Sequence, residues 1–364
     1  MSIVAPRVVT VGDIAAYTER IDVRSPAEYA EDHLPGAASH PVLSDDERAL
    51  VGTLHALDSA FAAKRAGAAI VARNIALMLE TAFAGKPRDW APLVYCWRGG
   101  KRSGALAHIM NEIGWRAVQL EGGYRAYRRH VRAQLETVPT MFTLRVVCGL
   151  TGSGKSRLLN ALAAEGAQVI DLEQLAAHRG SLLGDLPDTP QPSQKRFETE
   201  LLSILARLDA RKPVFIESES KRIGSLQVPD ALLQVMRHAA CVRVELPTPL
   251  RIALLREEYA HFLDNIEHLA QRLRPLSVLH GSKTVERWIA AARAGEWDAF
   301  VGELLIAHYD PTYTRSMDRN FARHAEAHVV TPRGIAPDDY RKIARALIDG
   351  VPVASPTGAA LDIA

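Results

Sequence analysis

Two short stretches hold residue types and spacings suited to group transfer. In the first, Val94-Tyr95-Cys96-Trp97-Arg98-Gly99-Gly100-Lys101-Arg102-Ser103, a cysteine closes an apolar run, a glycine turn follows, and a helix-like segment begins. Backbone N–H groups of such a turn converge beside the thiol, and a helix N-terminus adds partial positive charge. Arg98, Lys101 and Arg102 add full charges, so a depressed thiol pKa and a thiolate at Cys96 are expected. An inert buried thiol is the commoner fate of an isolated cysteine. Glycines and cations around a core thiol, however, would serve no packing purpose. Five residues separate Cys96 from Arg102, a loop able to wrap a tetrahedral oxyanion. Arg98, Gly99, Gly100, Lys101, Arg102 and Ser103 are the candidate anion contacts, with Cys96 and Arg102 as candidate catalytic residues.

The second stretch, Gly149-Leu150-Thr151-Gly152-Ser153-Gly154-Lys155-Ser156, matches the Walker A phosphate loop G-x-x-x-x-G-K-[ST] throughout. It follows an expected strand, Leu144–Cys148, and opens an expected helix, the context such a loop requires. Gly149, Thr151, Gly152, Ser153, Gly154, Lys155 and Ser156 are candidate diphosphate contacts, with Arg179 and Arg222 as distant additions. Lys155 supplies a point charge and Ser156 a hydroxyl for Mg2+. The loop reads a di- or triphosphate and not a base. Val214-Phe215-Ile216-Glu217-Ser218-Glu219-Ser220 supplies a strand-end acid. Glu217, or Glu219, could hold Mg2+ through water or act as a base; solvated charge at a strand end is the plainer alternative. Asp171 reads as a helix cap.

These loops need elements to hold them. Short β-branched runs alternate with helical patterns, which points to α/β layers around parallel strands. Strands are expected at Arg7–Val11, Ile21–Val23, Leu93–Cys96 and Ala117–Leu120, then at Leu144–Cys148, Gln168–Asp171, Pro213–Glu217, Cys241–Leu246 and His328–Thr331. The pattern breaks at Pro139, so the expected domains are 1–138 and 139–364, the second with a helical region at about 248–310. Gly180–Ser193 reads as an ordered loop or lid, and the tail after Pro352 as loosely held. A chain of 364 residues is longer than one core usually organises. Its 48% apolar and 24% charged composition excludes a disordered or fibrous protein.

Cys96, Cys148 and Cys241 are odd in number and far apart, which fits a reducing cytoplasm better than a disulfide framework. The N-terminal residues carry no signal-peptide pattern, and no stretch has the apolar length of a membrane span. AGAAIVARNIALMLETAFAG, broken by Arg73, Asn74 and Glu80, reads as an amphipathic surface helix. A soluble protein is expected. A net charge of +2 argues against a purely electrostatic nucleic-acid binder, though an average can conceal a local patch.

Asp22-Val23-Arg24-Ser25-Pro26-Ala27-Glu28-Tyr29 and His33-Leu34-Pro35-Gly36-Ala37, upstream of Cys96, resemble the signature of rhodanese-like domains. Asp32 stands where such sequences commonly have glycine. Rhodaneses carrying only sulfane sulfur usually have a loop one residue shorter, so the loop here suggests a larger, phosphate-like anion. With the phosphate loop, Leu120-Glu121-Gly122-Gly123-Tyr124, Asp171-Leu172-Glu173, His178-Arg179-Gly180-Ser181, Glu217-Ser218-Glu219-Ser220 and His308-Tyr309-Asp310-Pro311, the chain from about Asp22 to Pro311 resembles the tRNA 2-selenouridine synthase family, a rhodanese domain fused to a P-loop domain.

That resemblance implies replacement of sulfur by selenium at wobble 2-thiouridine of tRNA, through S-geranylation by geranyl diphosphate and then exchange with selenophosphate. The phosphate loop would hold a diphosphate leaving group, aided by Mg2+, with no organic cofactor. The thiol loop would take selenophosphate, with Cys96 accepting or relaying selenium. A tRNA partner agrees with Arg98–Arg132, where eight basic residues face two acids. Arg116, Tyr124, Arg125, Arg128 and Arg129 are the candidate tRNA contacts, the tyrosine by stacking; Arg251, Arg256, Arg272 and Arg274 rank second. The competing reading is a P-loop NTPase or kinase with a rhodanese-like sulfur-relay or sensor domain, and a third is a non-catalytic tRNA-binding or sulfur-relay module.

Overall fold

A computed structural model describes residues 6–350 apart from Asp58 and Asp188, so the tail after Pro352 lies outside the described residues. The chain divides into two compact units, Met1–Leu135 with Pro192–Ser203, and Glu136–Gln191 with Ile204–Ala364. The first division falls close to the break read at Pro139. The second does not follow from the sequence: a segment from the middle of the expected phosphate-loop domain packs with the first unit.

The first unit is an α/β layer with five parallel strands, β1 (Arg7–Val9), β2 (Arg20–Asp22), β3 (Ala37–Ser39), β4 (Leu93–Tyr95) and β5 (Val118–Leu120), in the order β1-β5-β4-β2-β3. The β3 strand is only three residues of small side chains, too weak a pattern to read in advance. Helix Ala60–Glu80 begins at Ser59, whose hydroxyl accepts from Ala62 N at 3.0 Å, and buries Ala63, Ile75 and Met78. Ile75 and Met78 pack with Ile21, Val94, Leu106 and Met110 in one core, with Val71 and Leu79 partly buried against it. Burying such aliphatic side chains contributes about 1.5–3 kcal/mol each. Among the described residues no helix is long and apolar enough to cross a membrane.

Helix Gln194–Leu205 joins this unit through Ser203. Its Thr199 hydroxyl donates to Asp32 Oδ2 at 2.9 Å, and the Tyr124 hydroxyl donates to the same oxygen at 2.7 Å. Lys195 pairs with Glu31 at 2.6 Å, and Arg128 pairs with Glu198. The aspartate that departs from the rhodanese pattern is thus fully buried and ties this segment in place.

The second unit carries β6 (Leu144–Cys148), β7 (Gln168–Ile170), β8 (Val214–Glu217), a hairpin of β9 (Arg222–Ile223) and β10 (Leu226–Gln227), β11 (Ala240–Val244) and β12 (His328–Val330). Its parallel sheet runs β12-β11-β6-β8-β7. The chain moves from β6 toward β7 on one side and toward β11 on the other, so the carboxyl end of β6 lies at the topological switch point, where α/β folds bind ligands. The phosphate loop leaves the sheet there. Helices between Thr248 and Asn320 form a second core around Phe262, Leu269, Leu273, Trp288, Phe300 and Leu304.

Candidate functional site

In the first unit, β4 stops at Tyr95, and helix Lys101–Ile113 begins just beyond the glycines. Gly99 (φ +64°) and Gly123 (φ +57°) belong to touching turns; a Cβ at Gly123 would lie 2.2 Å from Cys96 O. Only glycine permits that approach. Cys96 is buried, and its Sγ accepts from the Ser103 hydroxyl at 3.2 Å and from the backbone N–H groups of Ser103 and Gly100. Burial pushes the thiol up. These hydrogen bonds and the Arg102 charge outweigh it, leaving Cys96 below the ordinary thiol range.

Arg102 is oriented by Glu28, with Nη1 2.8 Å from Oε2, and Glu28 also pairs with Arg48. Burial raises the Glu28 pKa, but the Arg102 hydrogen bond and charge bring it below the usual carboxylate range. Arg98 and Lys101 are exposed at the loop. Arg24, by contrast, is fully buried: it pairs with Asp22 at 2.6 Å, donates to Asp32 O at 2.6 Å, and stacks 3.9 Å from the Tyr124 ring. That corrects the expectation for Tyr124. Its ring is core, 1% exposed, and offers no stacking face to a base; Tyr127 is buried too. Arg116, Arg125 and Arg129 are exposed, whereas Arg128 is half-buried and paired with Glu198.

In the second unit, Gly149, Gly152 and Gly154 all have positive φ. Gly154 caps helix Lys155–Ala164, and a Cβ there would lie 2.1 Å from the Tyr340 hydroxyl. Lys155 Nζ donates to Gly149 O at 2.9 Å and lies 5.2 Å from the Tyr313 ring centroid; Gly149 N donates to Tyr313 Oη at 2.8 Å. Arg251 is buried, donating from Nε to Thr151 O at 2.9 Å and from both Nη atoms to Asp310 at 3.0 and 2.6 Å. It braces the phosphate loop and is not a surface contact for tRNA. Arg256 pairs with Asp298 and Arg272 with Asp185.

A cleft of about 750 Å³ is lined by Gly152, Lys155, Ser156, Arg179 and Tyr313, with the acids Asp171, Glu173, Glu219 and Glu258. Arg222 is exposed on the β9–β10 hairpin and does not line it. Nor does Glu217, whose Oε1 accepts from Glu173 N at 2.7 Å inside the core. Burial, then Asp171 and Glu173, push Glu217 far above the carboxylate range, so a neutral acid bracing a backbone N–H replaces the expected base. A turn past the end of β8, in which Glu219 N donates to Glu217 O at 2.9 Å, brings Glu219 to the cleft instead. Asp171 caps helix Leu172–Ala176, accepting from Gln174 N at 2.7 Å.

The Ser156 hydroxyl donates to Glu173 Oε2 at 3.2 Å, and Glu219 donates a proton to Glu173. Among the described residues no three His, Cys, Asp or Glu side chains surround one metal position. One hydroxyl and one or two carboxylates, with phosphate and water completing the shell, is nevertheless an oxygen set that suits Mg2+.

Glu219 is pushed up to about 8, by burial and then by the Glu173 charge. The folded chain therefore keeps a proton there that the unfolded chain loses near 4.5. Its stabilising contribution is complete below the unfolded value and is lost as pH rises through about 8. In Mg2+-free buffer, the melting temperature of the wild type is expected to fall relative to Glu219→Gln between about pH 5 and pH 8. Parallel melting curves across that range would contradict the shared proton.

Beside the cleft lies an apolar cavity of about 70 Å³. Phe262, Leu269, Trp297, Phe300 and Leu304 line its interior, and Thr151, Ser181, Leu255, Tyr259 and Tyr309 line both spaces. The sequence offered no signal for this cavity, because its residues read equally well as packing.

A family model described as the tRNA 2-selenouridine synthase AAA domain matches residues 142–273, and the rhodanese-like domain model matches residues 14–130. A tRNA 2-selenouridine synthase of Nitrosomonas europaea is 32% identical over 301 residues, covering 79% of this chain and 75% of its own length. The chain belongs to the tRNA 2-selenouridine synthases. A synthase of Shewanella halifaxensis is 29% identical over 338 residues, covering 83% of this chain and 90% of its own. One from Salmonella newport is 36% identical over 253 residues, covering 68% and 67%. The rhodanese-like match carries the thiol loop and the AAA-domain match the phosphate loop.

Proposed function

We propose that the protein replaces the sulfur of wobble 2-thiouridine in tRNA with selenium in two steps, S-geranylation from geranyl diphosphate and then selenation from selenophosphate. The observation that carries this reading is the apolar cavity opening beside the phosphate loop. An NTPase has no use for a wall of Phe262, Phe300 and Leu304 next to its phosphates, whereas a prenyl diphosphate needs both surfaces at once.

In the first step the thiocarbonyl sulfur bonds to C1 of the geranyl group, the C1–O bond breaks, diphosphate leaves, and the base loses its N3 proton. Lys155, the loop N–H groups and Arg179 bind the departing charge. Ser156 and Glu173 would hold Mg2+, which would neutralise part of that charge. Leu255 and Tyr259, at the junction of cleft and cavity, keep water from the allylic carbon. In the second step selenium of selenophosphate bonds to C2, the C2–S bond breaks and geranyl thiolate leaves; water then takes the phosphoryl group from selenium as phosphate, and N3 regains its proton. For that step the thiol loop would bind selenophosphate through Arg98, Gly99, Gly100, Lys101, Arg102 and Ser103, and exposed Arg116, Arg125 and Arg129 would contact tRNA.

Incubation with 2-thiouridine tRNA and geranyl diphosphate, followed by selenophosphate, is expected to yield first the S-geranyl and then the 2-selenouridine nucleoside on digestion and mass spectrometry. Absence of both products defeats the reading, and turnover of ATP or GTP without tRNA would favour a P-loop NTPase.

A further inference from the structure

Gln119, at the centre of β5, is buried beside the thiol loop. Its Nε2 lies 2.7 Å from Gly99 O, 2.9 Å from Gly100 O and 2.8 Å from Ser103 Oγ. Two of these neighbours are carbonyl oxygens, which only accept. The amide must therefore present its nitrogen here; turned about, its oxygen would face two carbonyls. The two amide hydrogens serve three oxygens, so one is shared by the consecutive carbonyls and the other is directed at Ser103 Oγ, which then accepts and keeps its own proton for another partner. The available partners are Cys96 Sγ at 3.2 Å and Gly100 O at 3.4 Å, and the latter already accepts from both Gln119 and Gly104 N.

We propose that Gln119 is a positioning residue for the thiol loop, fixing the direction of the Ser103 hydroxyl so that it donates to Cys96 Sγ. The relay runs one way, from amide to hydroxyl to sulfur, and makes the sulfur an acceptor. An acceptor sulfur is better served by a thiolate than by a thiol, and chains of such bonds reinforce one another. The depressed Cys96 pKa agrees in direction. The other groups acting on the sulfur are the N–H groups of Gly100 and Ser103 and the Arg102 guanidinium, itself paired with Glu28; Arg98 and Lys101 are the remaining loop charges. Gln119 also ties two consecutive loop carbonyls to β5, which holds the backbone donors in register. The consequence for selenium transfer rests on the function proposed above. The state of the thiol does not, so each can fail alone.

The full-length protein is alkylated with iodoacetamide across a pH series, and modification of the Cys96 peptide is followed by mass spectrometry. Ser103→Ala is expected to raise the midpoint of the rate profile by about one pH unit, the loss of one hydrogen bond to a charged group. Gln119→Leu is expected to raise it by a similar amount, and the double variant no further, because one relay has been cut twice. Gln119→Met, closer in shape, repeats the measurement should the leucine variant fold poorly. Either variant leaving the midpoint in place while only the high-pH plateau rises would mean a loosened loop, and would overturn the proposal. So would a double variant whose shift equals the sum of the single ones.

Discussion

Lys155→Ala is expected to slow geranyl transfer about 10²–10³-fold while leaving selenation of tRNA that already carries the S-geranyl group largely intact. The magnitude follows from where charge develops. As the allylic C–O bond breaks, the diphosphate gains negative charge, and a donor fixed beside it lowers the barrier more than it tightens substrate binding. Lys155 Nζ rests on Gly149 O at 2.9 Å, which holds the ammonium inside the loop. Its charge favours the ionised forms of Glu173, Glu219 and Glu258, against the burial that raises all three. Alanine at the first position of a helix capped by Gly154 does not disturb the fold. Single-turnover assays on thiolated and on pre-geranylated tRNA separate the two steps. A geranylation rate within about tenfold of wild type would remove Lys155 from the transition state, and equal loss in both assays would mean the loop serves both steps.

What was legible in the sequence depended on how local the determining physics is. The phosphate loop is eight consecutive residues whose positive φ angles and charges are set by their own types, and it occupies the place read for it. The thiol loop was equally local: Cys96, the glycines and Arg102 are all found at the end of β4 and the start of the helix behind it. Facing was not legible. Glu217 and Glu219 are two residues apart and would share a face in a continued strand; the turn after β8, where Glu219 N donates to Glu217 O, brings Glu219 to the cleft while Glu217 is sealed in the core. Tyr124 lies in an arginine-rich stretch whose charge suggests a surface, yet it is an anchor under Arg24. Nor could pattern alone tell that helix Gln194–Leu205 satisfies Asp32, since an amphipathic face does not name the surface it will bury against. Arg251 shows the same limit from the charged side. Only the fold reveals that its partners are Asp310 and a loop carbonyl.

Cys96→Ala is expected to reduce selenation about 10²-fold or more and leave geranyl transfer within about twofold of wild type. The reason lies in a conflict of charges at the thiol loop. The N–H groups of Gly100 and Ser103 and the Ser103 hydroxyl all point at the sulfur, which they hold toward the thiolate. A thiolate is a poor neighbour for an anionic selenium donor, so its value must lie in chemistry and not in ground-state binding. Removing it takes a negative charge out of the cradle and frees three donors for the incoming oxyanion. The alanine variant is thus expected to bind phosphate, a stable stand-in for selenophosphate, at least as tightly as the wild type while transferring selenium far more slowly. Replacing a buried thiol by a methyl group costs little packing, about 1 kcal/mol, so the fold is retained and melting curves check it. Calorimetry with phosphate, together with the nucleoside assay on pre-geranylated tRNA, reads both halves. Weaker phosphate binding with unchanged turnover would make Cys96 a mere ligand of the anion. Full selenation with unchanged binding would exclude the thiol from the reaction and leave the loop's backbone donors as its working part.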